Sequence, residues 1–223
     1  MKPFNFQEVD QFDKHILSSI PTFADLNYLA MRMINDFSQE NTYVIDVGCS
    51  TGRFLRALPK RDGVRYLGVE RFMKPDPQKG IEFFHGDIFD PKSYTDRGRE
   101  KSASVVVSMF TMQFMPYRKR QQFISLVDTL LVDGGIFICA EKVHMNDPCI
   151  ESIVQANLLE WKKQHFSEKE ILDKTISLKS VMLCQTEKGL CEELSRIGVT
   201  ENIWQWGQFV CKVSRKNTLK GKL

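Results

Sequence analysis

The sequence has no apolar run that could cross a membrane and no apolar signal segment at its start. No window approaches the ~18 uninterrupted apolar residues of a transmembrane helix. The opening segment MKPFNFQEVD mixes apolar residues with polar and charged ones, unlike the core of an export signal. We therefore expect a protein of the cytoplasm that does not contact membranes.

The six cysteines do not follow the pattern of a metal site or of a disulfide framework. They form no CxxC pair, and none has a histidine at zinc-ligand spacing. Four of them lie within apolar runs, where a reduced cysteine behaves as a small hydrophobic residue. We therefore expect reduced cysteines, as in cytoplasmic proteins, and no bound metal.

The sequence also lacks internal repeats, linkers and a strong excess of charge of one sign. Its net charge is +3, which is too small to indicate direct binding of nucleic acid. Its 223 residues suffice for one domain with a full hydrophobic core. We expect this domain to span residues 1–213, with a helical cap at residues 1–40 and a basic, flexible tail at residues 214–223.

Short apolar segments that alternate with helical patterns predict an α/β fold. Several segments are nearly continuous apolar runs, as in buried parallel strands. The later stretch TENIWQWGQFVCKVS alternates bulky residues around Gly207, which predicts an antiparallel hairpin. We expect a Rossmann-like, seven-stranded, mostly parallel sheet that ends in this hairpin. The predicted strands before the hairpin are residues 43–47, 65–70, 81–87, 104–110 and 135–141, and the predicted helices are residues 53–58, 117–131, 150–165 and 187–196.

The connection between the second and third strands is unusually short. It consists of RFMKPDPQKG, which contains two prolines. Parallel strands usually need a crossover of ~12 residues or more. We expect a turn or a loop here in place of a helix.

A glycine-containing loop follows the first strand, in YVIDVGCSTGRFLRAL. Gly48 has no Cβ, so it can adopt a positive φ or let a ligand approach the backbone. Gly52 lets the next helix begin close to the sheet. Asp46 either holds this loop through backbone amides or contacts a ligand. Taken alone, the loop is equally compatible with a tight strand-to-helix turn, because it lacks the full G-x-G-x-x-G pattern.

Three acidic residues stand at the ends of three successive strands: Asp46, Glu70 and Asp87. The carboxyl ends of such strands form the crevice in which α/β folds bind ligands. A carboxylate at Glu70 suits ribose hydroxyls, and Asp87 with the next backbone amide suits an adenine edge. Each acid taken singly fits a solvated turn, but the three together favour a nucleoside. No basic residue in the glycine loop suits a phosphate, which favours S-adenosylmethionine.

The chain resembles a class I S-adenosylmethionine-dependent methyltransferase and, more narrowly, the carboxy-S-adenosylmethionine synthase family. The similarity runs from about residue 12 to about residue 213 and is carried by FDKHILSSIP, DVGCSTG, FTMQFM, LLVDGGIFICAEK, LKSVMLCQTEKGLCEELSRIG and IWQW. The resemblance implies an enzyme that transfers a carboxyl group from prephenate to the cofactor through a sulfonium ylide, releases phenylpyruvate, and feeds the modification of wobble uridine in tRNA. It also implies a homodimer.

The resemblance further implies where the cofactor is bound. Gly48, Cys49 and Ser50 are expected to line its methionine end, Glu70 its ribose, and Asp87 with Ile88 its adenine. The complete predicted set of cofactor-binding residues is Phe23, Asp46, Gly48, Cys49, Ser50, Gly52, Glu70, Arg71, Asp87, Ile88 and Met109.

Three positions depart from the family pattern at the methionine and carboxylate end. Thr175 stands where the family has an arginine for the new carboxylate, Phe23 where it has a tyrosine, and Met109 where it has an asparagine. Lys174 and Lys179 are alternative cations, although a lysine cannot reproduce the bidentate fork of an arginine. Solvated surface charges are the other interpretation of both lysines.

These departures leave three functional alternatives. The first is carboxyl transfer with a small acid such as prephenate, the second is conventional methyl transfer to an unknown acceptor, and the third is cofactor binding without catalysis. Cys49 lacks a nearby histidine that could activate it, so we expect packing rather than nucleophilic catalysis. His85 and His144 each lie near a strand end, where a structural role and an acid–base role both remain open.

Overall fold

The structure is a computed structural model that describes residues 12–90, 92, 101–179 and 181–218. Helices and strands alternate along most of this part of the chain. In order, they are α1 (Phe12–Leu17), α2 (Phe23–Phe37), β1 (Tyr43–Val47), α3 (Arg53–Ala57), β2 (Arg65–Glu70), β3 (Glu82–His85), β4 (Ala103–Met109), a 3-10 helix (Met112–Phe114), α4 (Tyr117–Leu130), β5 (Leu131–His144), α5 (Pro148–Lys163), α6 (Glu168–Leu178), β6 (Gln185–Thr186), α7 (Glu187–Leu194), β7 (Gly198–Trp206) and β8 (Phe209–Lys216).

The strands form one mostly parallel sheet in the order β3-β2-β1-β4-β5-β8-β7. Strands β1 to β5 pair in parallel, and the β7–β8 hairpin adds to β5 in the antiparallel sense. The predicted seven-stranded sheet with its terminal hairpin is therefore confirmed. The two-residue strand β6, which was not predicted, pairs with the end of β5.

Helices cover both faces of the sheet because successive residues of a strand point to opposite sides. In β1, Val44 packs into the hydrophobic cluster under α2 and α3, whereas Ile45 packs into the cluster under α4 and α7. All five residues of β1 are buried, which explains its continuous apolar pattern. This central position fixes the end of β1, where the glycine loop begins.

The helix α2 is amphipathic and presents Leu26, Ala30 and Ile34 to the sheet. These residues follow the spacing of one helical face. The helices α1 and α2 fall within residues 1–40, where a helical cap is expected, and residues 1–11 lie outside the described part of the chain.

Several element boundaries differ from the predicted ones. The strand β8 extends to Lys216, so residues 214–216 belong to the sheet, and the predicted start of the tail at residue 214 is wrong. Residues 219–223 lie outside the described residues. The helix α6 was not predicted, because it buries no residue and has only a capping box between Ser167 and Glu170 as its signal.

The short connection from β2 to β3 contains no helix, as predicted. It turns through an isolated bridge between Gln78 and Ile81. Among the described residues, no helix combines the length and apolar character needed to span a membrane.

Removing a buried side chain from α2 tests how firmly this helix is anchored. Leu26 is fully buried and Tyr28, on the same helix, is 64% exposed. We expect Leu26→Ala to lower the free energy of unfolding by about 2–5 kcal/mol, and Tyr28→Ala to change it by less than about 0.5 kcal/mol. Urea denaturation measures both values. Equal effects of the two substitutions would show that α2 does not dock as described.

Candidate functional site

One cavity of about 980 Å³ opens at the carboxyl ends of the parallel strands. Its wall combines the glycine loop, the segments after β2 and β4, and parts of α1, α2, α5 and α6. The structure brings together here all but one of the predicted cofactor-binding residues. They are Phe23, Asp46, Gly48, Cys49, Ser50, Glu70, Arg71, Asp87, Ile88 and Met109.

Both glycines of the loop have a left-handed backbone conformation, but they have different structural roles. Gly48 has φ 77°, and a Cβ at this position would lie 2.2 Å from Oγ1 of Thr111. The close approach of this threonine is therefore possible only with glycine. Gly52 does not line the cavity. It begins α3 with φ 79°, where a Cβ would lie 2.6 Å from the ring of Phe83, so its observed role is to seat the helix against the sheet.

The carboxylate of Glu70 connects the two loops that border the cavity. Its Oε2 accepts a hydrogen bond from the Ser50 amide at 2.8 Å, and its Oε1 accepts one from the Phe72 amide at 2.7 Å and a longer one from the Met73 amide at 3.4 Å. A carboxylate offers about four acceptor positions. Three are therefore used by the backbone, which leaves room for about one ligand hydroxyl in this arrangement.

Asp46 lies beside Glu70 and is almost completely buried. Burial, together with the charge of Glu70, raises the pKa of Asp46 to about 7. No described residue donates a hydrogen bond to its carboxylate. Of the two roles considered for Asp46, the loop-holding one belongs to Glu70 instead, and Asp46 remains available to a donor from a ligand.

The third strand end is more open to solvent. Oδ1 of Asp87 accepts a hydrogen bond from the Phe89 amide at 3.0 Å, and Oδ2 lies 3.4 Å from the guanidinium of Arg71. Both side chains are substantially exposed, so this ion pair contributes little to stability. Ile88 is buried beside them and supplies an apolar surface.

Aromatic and apolar side chains form the wall between α2 and the end of β4. Phe23 contacts Phe110 with ring centroids 6.0 Å apart, and Phe110 contacts Phe209 at 5.9 Å. Phe110 has a φ of 55°, which is unusual for a residue other than glycine and indicates local strain. Met109 completes this wall. Phe23 and Met109, the two positions expected to depart from the family pattern, therefore form part of an apolar surface.

Cys49 packs as a small hydrophobic residue. It is buried in the core under α2, and burial raises the pKa of its thiol far above the ordinary value. A thiol held in this neutral form is a poor nucleophile. The expected packing role agrees with this environment.

Three lysines from different elements also line the cavity. Lys142 at the end of β5, Lys162 in the last turn of α5 and Lys174 in α6 all reach the cavity. Nζ of Lys174 contacts Nε2 of His15 and donates to Oγ of Ser19 at 3.2 Å. Of these three lysines, only Lys174 was considered as a ligand-binding cation from sequence, because their convergence depends on how β5, α5 and α6 pack.

Thr175 and Lys179 do not line this cavity. Thr175 is exposed, and its hydroxyl donates a hydrogen bond to the carbonyl of Ile171. Lys179 is exposed at the end of α6. Of the two lysines named above as alternative cations, only Lys174 faces the cavity.

The two histidines near strand ends have structural contacts outside this cavity. Nδ1 of His85 lies 2.9 Å from the carbonyl of Met73, and Nδ1 of His144 lies 3.0 Å from the carboxylate of Glu151. Glu141, the acid at the end of β5, accepts hydrogen bonds from the three amides that open the 3-10 helix, at 2.7 to 3.2 Å. These groups stabilise the loops of the site.

Substitution of Gly48 tests the close approach of Thr111 to the loop. Because the added Cβ would overlap Thr111, we expect Gly48→Ala to lower the affinity for S-adenosylmethionine at least about tenfold. Gly80 is the matched control, since it also has a positive φ of 81° but no atom within 4 Å of its added Cβ. Calorimetric titration measures both affinities, and equal binding by the two variants would contradict the described loop.

The buried acid pair predicts a pH dependence of stability. Since the folded state raises the pKa of Asp46 to about 7, the folded protein retains a proton that the unfolded chain has released. The stability from this group is present below about pH 4 and is lost as the pH rises through about 7. Asp46→Asn removes the titration, so the variant should gain about 2–4 kcal/mol relative to the wild type between these limits. Urea unfolding without cofactor, from pH 4.5 to 8, measures the difference, and parallel profiles would refute the assignment.

Known proteins resemble this chain over nearly its whole length. It is 28% identical over 219 residues to the carboxy-S-adenosyl-L-methionine synthase of Campylobacter lari, covering 96% of this chain and 94% of that protein. It is 29% identical over 231 residues to the protein of the same name from Nitratiruptor, again covering 96% and 94%. The resemblance drawn from the motifs is thereby confirmed.

Solved structures confirm the fold class. Human N-acetylserotonin methyltransferase, solved in complex with S-adenosylmethionine, superposes with a TM-score of 0.54 at 12% identity and covers 86% of this chain and 54% of that one. The model of the FtsJ-like methyltransferases matches residues 30–223. Fold, relatives and cavity agree on a transferase that binds S-adenosylmethionine, and the chain belongs to the FtsJ-like methyltransferase family.

Proposed function

We propose that the protein transfers a carboxyl group from prephenate to S-adenosylmethionine and releases phenylpyruvate. The support is the similarity to proteins named carboxy-S-adenosyl-L-methionine synthase, which covers 96% of the chain. In this proposal the carboxylated cofactor serves the modification of wobble uridine in tRNA. Cofactor binding without catalysis, the third alternative, would not require a site for a second ligand beside the cofactor.

The observation that carries the proposal is the division of charge in the cavity. Asp46 and Glu70 are buried beside the glycine loop, where the nearby Arg71 pairs with Asp87. Three lysines reach the cavity from β5, α5 and α6. The volume of about 980 Å³ lies at the upper end of the ~300–1,000 Å³ range for small-molecule sites. The acids suit the hydroxyl and amino groups of an adenosyl cofactor, and the lysines suit an acidic second substrate.

We assign the cofactor's contacts on the same basis. Glu70 and Asp87 hold the ribose and the adenine, and the backbone at Gly48, Cys49 and Ser50 lines the methionine end. S-adenosylmethionine supplies a methyl carbon activated by the adjacent sulfonium. The protein's task at this carbon is positioning, because two reactants held together avoid the entropic cost of a bimolecular encounter.

The apolar wall has a distinct task in this proposal. Phe23, Met109 and Phe110 exclude water from the region between the glycine loop and α2. A methyl carbon that must capture a carboxyl group would otherwise regain a proton from water. The replacement of polar family residues at two of these positions is compatible with such a role, because neither needs to donate a hydrogen bond.

Conventional methyl transfer is the second candidate, and membership of the FtsJ-like methyltransferases favours it. The absence of an arginine at Thr175 matters little for that reaction. The two candidates differ in the fate of the cofactor. In carboxyl transfer, prephenate would release carbon dioxide and its ring hydroxide, the hydroxide would leave as water with a proton from the methyl group, and the resulting carbanion of the sulfonium would bond to the carbon dioxide. Methyl transfer instead leaves S-adenosylhomocysteine.

Turnover with prephenate labelled with ¹³C in its ring carboxyl group tests the proposal. We expect liquid chromatography with mass spectrometry to detect a cofactor heavier by one labelled carbon dioxide, with phenylpyruvate in equal amount. Glu70→Gln weakens the bonds to three loop amides and should lower kcat/KM at least about tenfold. Glu201→Gln, at an exposed position of β7, is the matched control and should have no effect. Formation of S-adenosylhomocysteine with an acceptor, or no consumption of prephenate, would refute carboxyl transfer.

A further inference from the structure

Three lysines face the cavity without a carboxylate partner. Lys142, Lys162 and Lys174 come from β5, α5 and α6. Within the described part of the chain, none of them lies within 4.0 Å of an acidic side chain. Lys119 also lines the cavity, but it packs over the ring of Phe89 at 4.5 Å, at the other end. The three lysines form one group, which we call the lysine cluster.

Two other lysines of the chain, by contrast, pair with carboxylates. Lys163, next to Lys162 in the chain, pairs with Glu160 at 2.9 Å on the outer side of α5. Lys212 is buried and pairs with Glu187 at 2.7 Å. Both of these lysines have an acidic partner, which offsets the cost of desolvating the charge. The lysine cluster has no such partners among the described residues, although Lys162 and Lys174 are desolvated by burial.

The members of the cluster repel one another. Burial, with the charge of Lys142, lowers the pKa of Lys162 to about 8. Burial, with the charge of Lys162, lowers the pKa of Lys174 to about 7. The imidazole of His15 belongs to the same environment, because burial and the charges of Lys174 and Lys162 lower its pKa to about 4. Glu170 on α6 acts on His15 in the opposite direction, but it is exposed and does not neutralise the lysines.

The cofactor alone does not explain this cluster. S-adenosylmethionine carries a sulfonium and an ammonium against one carboxylate, so its net charge is positive. Its binding would add to the repulsion within the cavity rather than relieve it. A ligand with more than one negative charge is needed to neutralise cations that reach the cavity from three elements. A single carboxylate would leave most of the cluster unpaired.

We propose that Lys142, Lys162 and Lys174 together form a binding site for both carboxylates of a dicarboxylate substrate. The inference rests on the proposed function only in identifying this anion with its acidic substrate. In this site, recognition of the dicarboxylate is distributed over lysines of three elements. Lys174 and Lys162 adjoin each other and bind one carboxylate, and Lys142 and Lys162 bind the second.

Binding of the anion is coupled to uptake of a proton. Near pH 7.5 the empty site holds Lys174 partly as the neutral amine, because its pKa is about 7. A bound carboxylate favours the ammonium form and raises this pKa, so a proton enters from solvent. The affinity is therefore greatest below about pH 7 and falls as the pH rises through the raised pKa, by up to about tenfold per pH unit for one proton.

Calorimetric titration with malonate, a small dicarboxylate, tests the site without requiring turnover. We expect Lys162→Gln and Lys174→Gln each to weaken malonate binding at least tenfold. Lys163→Gln and Lys179→Gln, at exposed positions of the same helices, should stay within twofold of the wild type. Acetate should bind at least tenfold more weakly than malonate. Titrations at pH 7.5 in two buffers of different ionisation enthalpy should reveal uptake of roughly one proton.

The outcomes separate this inference from the proposed function. Malonate binding that depends on the lysines, with no carboxyl transfer from prephenate, would support the site and refute the function. Carboxyl transfer that is unaffected by Lys162→Gln and Lys174→Gln would refute the site and leave the function. Equal affinity for malonate and acetate, equal affinity for inorganic phosphate, or no proton uptake would also overturn the inference. The thermal stability of the unliganded variants is the folding control. We expect it to be unchanged or raised, because each substitution removes a repelling charge. A loss of binding in such a variant is then not caused by unfolding.

Discussion

The buried carboxylate of Glu70 is the constraint on which the site depends. A buried charge is tolerated only with hydrogen-bond donors, and here the donors are backbone amides of the loops after β1 and β2. The same bonds fix both loops at the mouth of the cavity. They also place the charge of Glu70 beside Asp46, whose pKa is raised by burial and by this charge. The Glu70 carboxylate thus holds both loops in place and raises the pKa of the neighbouring Asp46.

Acidic and basic residues of the cavity come from different parts of the fold. The acidic side lies on the central parallel strands, where strand order determines which loops meet. The basic side is formed by Lys142 of β5 and by α5 and α6, two helices that bury only Leu158 between them. A rigid acidic side suits a cofactor that is common to many transferases of this fold. A basic side on peripheral helices allows substrate choice to change without altering the sheet, because these helices contribute little to the core.

Local sequence patterns predicted most of the strands and helices, and they predicted the acidic residues of the site but not the clustering of its lysines. The runs in β1 and β2 are continuous because both faces are buried, so their bounds were readable from sequence. The strand-end acids converge because parallel strands share one edge. The role of Glu70 in holding the loops was missed, since amide partners two to twenty residues away leave no pattern. The lysine cluster was missed because it depends on how α5 and α6 pack, which spacing along the chain does not encode.

The most direct test of the account is the identity of the ligand that the purified protein carries. Native mass spectrometry of freshly purified protein, followed by denaturation and identification of the released molecule, measures it without assumptions about turnover. The account predicts an adenosyl sulfonium, carboxylated or not, bound at one per chain and reduced in occupancy when Glu70 is replaced by alanine. An empty protein that also fails to bind added S-adenosylmethionine would contradict the assignment of Asp46, Glu70 and Asp87 to a cofactor site.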